Sequence, residues 1–284
     1  MHQAQDTLLT MASNGNITTE PFPGRGESAP NSCVVQGFKI TTQKLPILKA
    51  GPIEQMTDKL GIAVPEMIFG DNCVAIEHAK TGWSINFNSF DALDRVDKTG
   101  ESMLQVAHSQ EWKASREHHD EEIKEVVKPF DWSYSTDYKG TVDADRQAAQ
   151  FEPSDKQIPI ELLKRPDPIR FFDNVDLYED ELADNGITIM SCKVRVMPER
   201  MLLLNRFFMR LDGVVFRIRD TRVFVEFRTG EVIREYTARE AKYENVRHQL
   251  LSRGLDFLAV SREPDRLADL LPVVERTNER LALG

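Results

Sequence analysis

The 284-residue sequence is poor in cysteine and in long apolar runs. Its three cysteines, Cys33, Cys73 and Cys192, are widely spaced and form no CxxC pair. This excludes a disulfide framework and a zinc knuckle, and it is typical of a reducing compartment. The longest purely apolar runs span only a few residues, far fewer than the roughly 20 that a transmembrane helix needs. The polar stretch Met1–Pro30 also lacks the pattern of a secretory signal. We therefore expect a cytoplasmic protein, with the nucleus as a second location.

The sequence also has fewer basic residues than acidic ones. The chain has 36 Lys and Arg against 46 Asp and Glu, a net charge of −10 at pH 7. This balance argues against broad binding to nucleic-acid phosphates and against a polybasic membrane surface. Apolar residues make up 40% of the chain and charged residues 29%, which is enough apolar material for a packed core.

The common catalytic motifs are missing: the sequence has no GxSxG, GxxxxGK[ST], GxGxxG or HExxH. His118 and His119 are adjacent, so on a helix they point about 100° apart rather than toward one ion. The acidic run Tyr178–Glu181 lacks the spacing of a calcium loop, and we interpret it as the solvated face of a strand. Cys73 and Cys192 are expected to be buried, inert thiols. The sequence predicts no enzyme, metal or cofactor. One alternative stays open, a hydrolase whose carboxylate pair only the fold brings together.

The chain divides by composition into a polar tail, residues 1–32, which we expect to be disordered, and one α+β domain, residues 33–284. The first half of the domain mixes short strands and helices. The predicted segments are a strand Val34–Thr42, a helix Gly51–Leu60 ended by Gly61, strands Val74–His78 and Trp83–Asn88, a short helix capped by Asn88 or Ser89, a polar helix Gln110–Lys128, a polar loop Gly140–Lys156 and a short helix after Pro159.

The second half reads as a β-meander. Strands of alternating polarity are separated by the turn dipeptides Asn185-Gly186, Asp212-Gly213 and Thr229-Gly230. Strands joined by such short turns are antiparallel neighbours. The charged stretch Ile218–Arg222 is interpreted as a surface turn between two strands, and Glu263–Val274 as a helix that Pro272 breaks or kinks. We therefore predict an α+β fold with a largely antiparallel β core (a β-meander) and peripheral helices.

One aromatic segment allows two interpretations. Asp131–Gly140 contains Trp132, Tyr134 and Tyr138 among several hydroxyl groups. Amphipathic aromatics beside hydroxyls suit a recognition surface, and they equally suit an ordinary edge strand.

Several blocks, taken together and in order, resemble one family. They are Pro65–Asn72, Lys128–Trp132, Ser135–Thr141, Phe171-Phe172, Leu177–Gly186, Lys193–Pro198, Arg206–Phe208, Arg210–Gly213 and Asp220–Arg222. As a set, which covers roughly residues 34–242, they are similar to the TIP-forty-one-like (TIPRL) family of TOR-signalling regulators.

The resemblance implies a non-catalytic inhibitor or disassembly factor for serine/threonine phosphatases. Its partners would be the catalytic subunits of type 2A, 4 and 6 phosphatases, held by their C-terminal tail, and an alpha-four (Tap-forty-two-like) adaptor. A scaffold that binds only such adaptors is a further alternative. The family's partner-binding positions fall here on Asp91, Ile158, Ile218, Asp220 and the Asp-Thr-Arg block that ends at Arg222.

Overall fold

The computed structural model describes residues 18–19, 30–99, 130–143 and 150–284. The strands in these ranges fall into two sheets, and every pair of neighbouring strands is antiparallel. The helices are few and mostly short. These observations confirm the predicted α+β fold with a largely antiparallel core.

The elements are numbered in chain order. The strands are β1 (Thr18–Thr19), β2 (Asn31–Val35), β3 (Phe38–Gln43), β4 (Met67–Ile68), β5 (Cys73–His78), β6 (Ser84–Asn88), β7 (Thr141–Val142), β8 (Glu152–Pro153), β9 (Phe171–Asp180), β10 (Gly186–Val196), β11 (Arg200–Leu211), β12 (Val215–Glu226), β13 (Glu231–Lys242) and β14 (Val273–Ala282). The helices are α1 (Ala50–Leu60), α2 (Ser89–Asp94), α3 (Ile160–Leu163), α4 (Tyr243–Ser252), α5 (Phe257–Val260) and α6 (Pro264–Ala268).

The larger sheet is the meander that the turn residues predict. Its strand order is β4-β9-β10-β11-β12-β13-β14-β8, so that β9 to β13 are neighbours in the order of the chain. Short connections permit only this antiparallel arrangement. The smaller sheet has the order β1-β2-β3-β5-β6-β7.

Several local predictions in the first half are confirmed. Helix α1 ends at Gly61, whose φ of 70° is the left-handed conformation that glycine adopts at little cost. Asn88 caps α2, because its side-chain oxygen accepts a hydrogen bond of 2.8 Å from the Asp91 N–H. In the described parts of the polar stretch 140–156, residues 140–143 and 150–156, the regular elements are the two-residue strands β7 and β8. The predicted helix Gln110–Lys128, with His118 and His119, lies outside the described residues, and the division into tail and domain stays a prediction.

One predicted strand and one predicted turn are wrong. Residues 34–42 form a hairpin rather than one strand, because Gln36 and Gly37 both adopt positive φ and reverse the chain. Gly186 is not a turn residue but the first residue of β10. A Cβ at Gly186 would lie 1.9 Å from the Arg210 carbonyl oxygen, so glycine is required for close strand approach. The reversal lies at 181–185, within which three consecutive residues have positive φ.

The predicted C-terminal helix is also wrong beyond its first turn. Helix α6 covers only Pro264–Ala268, and the chain then enters β14 at Val273. Pro272 separates the two elements, because it cannot donate the hydrogen bond that would continue a helix. Strand β14 pairs with β13 along most of its length. Its Val273 and Val274, which match a helical pattern, are exposed residues of a strand.

The two faces of the larger sheet differ in what covers them. The inner face packs on the smaller sheet through the main core, to which β12 contributes Val215, Val223 and Val225. The alternate residues of the same strand point outward. Phe216 and Ile218 belong there to a second cluster with α4, α5 and α6, and Phe224 to a third with Ile158. The outer face is thus covered near its two ends by separate small clusters.

The segment Asp131–Gly140 is neither a recognition surface nor an edge strand, the two interpretations that its sequence allows. It is a largely buried irregular segment beneath the inner face. The Tyr138 hydroxyl donates to the Asn86 carbonyl at 2.9 Å, and the Thr221 hydroxyl donates to the Tyr138 carbonyl at 3.1 Å. Gly140, at φ +87°, comes so close to Phe87 that a Cβ would lie 2.7 Å from the ring. The aromatic rings and hydroxyl groups of the segment Asp131–Gly140 therefore join the two sheets.

Candidate functional site

Between its two clusters, the outer face of the larger sheet carries a strip of charged and polar side chains. Strand register aligns them in two rows across β10 to β14. The first row is Ser191, Arg206, Asp220, Thr237 and Arg276; the second is Lys193, Leu204, Arg222, Glu235 and Asn278. We call these ten residues the charged strip.

Strand β12 runs through the middle of the strip without interruption. The interpretation of 218–222 as a surface turn between two strands is therefore wrong. As in any strand, successive residues point to opposite faces: Ile218, Asp220 and Arg222 lie on the outer face, and Arg219 and Thr221 lie on the inner face. In the sequence, a run of charged residues resembles a surface turn. The arginine that neutralises the buried Asp220 carboxylate lies on a neighbouring strand, so the residues around Asp220 give no sign of it.

Asp220 is the centre of the strip. Its carboxylate is buried and accepts two hydrogen bonds from Arg206, at 2.7 Å from Nε and 2.8 Å from Nη2. This is the planar two-point pairing for which a guanidinium is suited. Arg222 Nη2 donates a longer bond of 3.4 Å to the same carboxylate. Burial alone would lower the pKa of Arg206, but the adjacent Asp220 and Asp265 carboxylates raise it, so its charge is secure.

Positive charge exceeds negative charge around Asp220. Arg239, next to the first row, places Nη1 3.7 Å from the Asp220 carboxylate, too far for a hydrogen bond. This nitrogen is buried and has no hydrogen-bond partner. Burial lowers the pKa of Arg239, Asp220 opposes that shift, and the neighbouring guanidinium groups of Arg222, Arg206 and Arg276 add to it. Three guanidinium groups thus surround the buried Asp220 carboxylate, an arrangement that favours an additional anion.

Four of the five predicted site residues lie in or beside the strip. Asp220 and Arg222 belong to it. Ile218 is fully buried in the cluster under α4 to α6 at one end, and Ile158 is buried against Phe224 at the other. The two isoleucines therefore form the walls of the strip rather than its exposed surface.

Asp91 lies elsewhere, in the first turn of α2 beside the smaller sheet. Its carboxylate accepts hydrogen bonds from Asn88 Nδ2, at 2.8 Å, and from the Thr141 hydroxyl. Thr141 belongs to β7, an edge strand of that sheet. The structure thus separates Asp91 from the four residues at the strip.

Arg206, Arg239 and Lys193 were not among the predicted site residues. The first of these was detectable, because the turn at Gly213 fixes the register of β11 and β12 and places Arg206 opposite Asp220. Arg239 and Lys193 had no such signal. The approach of Arg239 to Asp220 and of Lys193 to Asp265 depends on side-chain conformations that strand register does not specify.

The other buried carboxylates have structural partners. Asp180 accepts from the Leu182 and Glu66 N–H groups, so the predicted solvated face of Tyr178–Glu181 is wrong at this position. Asp131 accepts from the Ser133 N–H and hydroxyl. Asp173 binds Thr42 and Lys44; burial alone would raise its pKa, but these hydrogen bonds hold it below the usual range. Within the described ranges, no group of three or more His, Cys, Asp or Glu is placed to hold a metal ion.

The prediction of buried thiols is confirmed for Cys192 and only in part for Cys73. Cys192 is buried and Cys73 is partly buried, and burial raises the pKa of both. Cys192 Sγ lies 3.3 Å from the Asn205 side-chain oxygen. This contact explains a polar residue in the otherwise apolar centre of β11. Among the described helices, none has the length and apolar character that a membrane crossing requires.

Comparison with known proteins places this architecture in a family. The model of the TIP41-like family matches residues 67–247, which include β9 to β13 and most of the charged strip. The chain belongs to the TIP41-like family. It is 41% identical over 245 residues to the human TIP41-like protein, covering 86% of each chain. It is 38% identical over 265 residues to the type 2A phosphatase activator TIP41 of Saccharomyces cerevisiae, covering 87% of this chain and 74% of the yeast protein. The resemblance predicted from the sequence blocks is therefore confirmed. Asp265 lies beyond the residues that the family model matches.

Proposed function

We propose that this chain is a non-catalytic regulator that binds the catalytic subunits of type 2A-family serine/threonine phosphatases, including the type 4 and 6 relatives. Its relatives in Saccharomyces cerevisiae and Schizosaccharomyces pombe are named type 2A phosphatase activators, and this is the observation that carries the proposal. The buried carboxylates described above support the non-catalytic part, because their hydrogen bonds account for them structurally.

The charged strip is the surface we propose for this contact. It is positive in a chain whose net charge is −10, and it is open between two apolar walls. Such a groove suits an extended peptide segment with a negative charge, and we propose the C-terminal tail of the phosphatase as its occupant.

The strip residues would have different roles in that contact. Arg222, with its side chain 30% exposed, is available to the partner. Asp220 is completely covered and would act by holding the Arg206 and Arg222 guanidinium groups in place. Ile158 and Ile218 would define the width of the groove. Asp91 would belong to a second contact area.

Binding would lower phosphatase activity or favour disassembly of the enzyme, in association with an alpha-four-like adaptor and within TOR signalling. The cytoplasm, with the nucleus as a second location, is the proposed setting. The word activator describes the two yeast proteins, so the direction of regulation has to be measured for this chain.

A binding assay with purified components tests the proposal. The full chain is immobilised and titrated with the catalytic subunits of type 2A, 4 and 6 phosphatases, and activity on a phosphopeptide is measured in parallel. We expect saturable binding and a fall in activity. Arg222→Gln should weaken binding about tenfold, the effect of one well-placed contact. Arg228→Gln, which changes an exposed arginine in the β12–β13 turn, is the matched control.

The outcomes separate clearly. Absence of binding to all three catalytic subunits would overturn the proposed function. Binding that Arg222→Gln and Arg228→Gln leave equally strong would remove the charged strip from the contact. Binding accompanied by a rise in activity would contradict the inhibitory direction.

A further inference from the structure

A small pocket opens at one end of the charged strip, beneath the start of α6. It has a volume of about 60 Å³ and is lined on the sheet side by Ser191, Lys193, Leu204 and Arg206, and on the helix side by Pro264 and Asp265. This volume holds a group of a few atoms, such as a carboxylate, rather than a whole side chain of large size.

In the free protein, the Asp265 carboxylate occupies the cationic wall of this pocket. One of its oxygens lies 2.5 Å from Arg206 Nη1 and the other lies 3.5 Å from Lys193 Nζ. Arg206 is held in place from the opposite edge of its guanidinium by the two hydrogen bonds of Asp220. The Nη1 edge is therefore a preorganised donor that points away from the buried pair.

The two carboxylates on Arg206 differ in how firmly they are held. The Asp220 side chain is fully buried, whereas the Asp265 side chain is 71% exposed and lies on a helix of five residues. Exposed ion pairs contribute little to stability, because water and salt screen them. Asp265 is thus the replaceable partner, and Asp220 is the permanent one.

The surrounding charge favours a stronger anion than Asp265 alone. Arg239 leaves a buried donor without an acceptor, and the Asp220 carboxylate lies within 3.7 Å of three guanidinium groups, those of Arg206, Arg222 and Arg239. A ligand that carries its own carboxylate and additional acceptors would satisfy more of these donors than the single side chain of Asp265 does.

We propose that Arg206 and Lys193 form a carboxylate subsite, which Asp265 fills in the free protein and which a carboxylate of the protein partner takes over on binding. This inference deepens the proposed function and rests on it for the identity of the partner. The subsite itself is a property of the free chain, so small carboxylates should reveal it without any phosphatase.

The test uses the full chain and NMR detection of the side-chain N–H groups of arginine and lysine. The probes are N-acetyl-leucine, which carries a chain-end carboxylate, and N-acetyl-aspartic acid α-amide, which carries a side-chain carboxylate. N-acetyl-leucinamide is the neutral control. We expect saturable shifts at Arg206 and Lys193 with at least one carboxylate and none with the amide; the tighter carboxylate identifies the source that the subsite prefers.

Three variants separate the subsite from general charge effects. Asp265→Asn removes the competing carboxylate and should tighten probe binding by up to about fivefold, the strength of an exposed ion pair. Lys193→Met added to that variant should reverse the gain. Asp269→Asn, which removes an exposed charge at the end of the same helix, should leave binding unchanged.

The proposal is overturned if the amide shifts the same signals, or if Asp265→Asn and Asp269→Asn change affinity equally. It is also overturned if no carboxylate perturbs Arg206 in the Asp265→Asn variant. Loss of probe binding with intact phosphatase capture would reject the subsite alone. Probe binding without phosphatase capture would reject the proposed function and leave the subsite standing.

Discussion

Phe207 and Phe208 are neighbours on β11, yet they belong to different parts of the molecule. Phe207 faces inward and packs in the main core between the two sheets, whereas Phe208 faces outward into the small cluster under α4 to α6. The inner face carries the main apolar core, and polar residues on the same face of β12 and β13, such as Arg217 and Glu240, are paired with one another. The outer face is covered only near its ends and leaves charged side chains between them. The inner face mainly stabilises the fold, and the outer face leaves a surface available for binding.

The largest expected effect comes from truncating this pair one residue at a time. Phe207→Ala should lower the free energy of unfolding by about 3–5 kcal/mol, because the close-packed core between the sheets cannot collapse around the cavity. Phe208→Ala should cost nearer 3 kcal/mol, since the short helices over it are freer to adjust. Urea denaturation of both variants measures the difference. An equal or larger loss for Phe208→Ala would contradict the distinction between the faces.

The buried charge of the outer face comes second. Asp220→Asn should cost about 3 kcal/mol, because it leaves the largely buried Arg206 guanidinium with only the exposed carboxylate of Asp265. Asp212→Asn, in the β11–β12 turn with its side chain 45% exposed, should change stability by less than about 0.5 kcal/mol. The same denaturation measurement applies. If the two variants unfold alike, Asp220 does not organise the charged strip.

A smaller effect is expected at Asp173, where β9 meets β3 through Thr42 and Lys44. Its folded-state pKa is lowered, so its contribution is fully present above the ordinary carboxyl pKa of 3.8 and is lost as the pH falls through the folded value. Asp173→Asn should therefore flatten the decline of stability below about pH 4. Unfolding free energies measured against pH, with exposed Asp176→Asn as the control, test this. An unchanged acid slope would contradict it.

The smallest expected effect is at the exposed end of the strip. Arg222→Gln should change the free energy of unfolding by less than about 0.5 kcal/mol, because its bond to Asp220 is long and partly solvated. Thermal unfolding beside Asp220→Asn checks this. A large loss would mean that Arg222 is part of the core of the fold, and that its effect on phosphatase binding reports on folding.

The meander was predictable from the sequence because turn dipeptides and alternating polarity are local signals. Asp212-Gly213 fixed both a turn and the register that pairs Arg206 with Asp220. Strand β14 was not predictable from the same kind of pattern, since Leu267, Leu270 and Leu271 continue smoothly into Val274 with helical spacing. Its conformation is decided by pairing with β13, a long-range interaction that overrides local preference.

The site was predictable only in part. The resemblance to the TIP-forty-one-like family singled out Asp220 and Arg222, whereas the burial of Asp220 beneath guanidinium groups from β11, β12 and β13 is a property of three strands together. Asp265 comes from a helix almost sixty residues further along the chain than Arg206. No spacing rule within a single element connects them.

The position of β14 has a consequence for synthesis. It lies between β13 and β8, both of which precede it in the chain. Until the ribosome has released β14, the edge of β13 presents unpaired N–H and C=O groups. Arg276 and Asn278 of the charged strip are missing at that stage. A nascent chain paused before Val273 would thus combine an aggregation-prone edge with an incomplete binding surface, and we expect it to depend on chaperones until translation resumes.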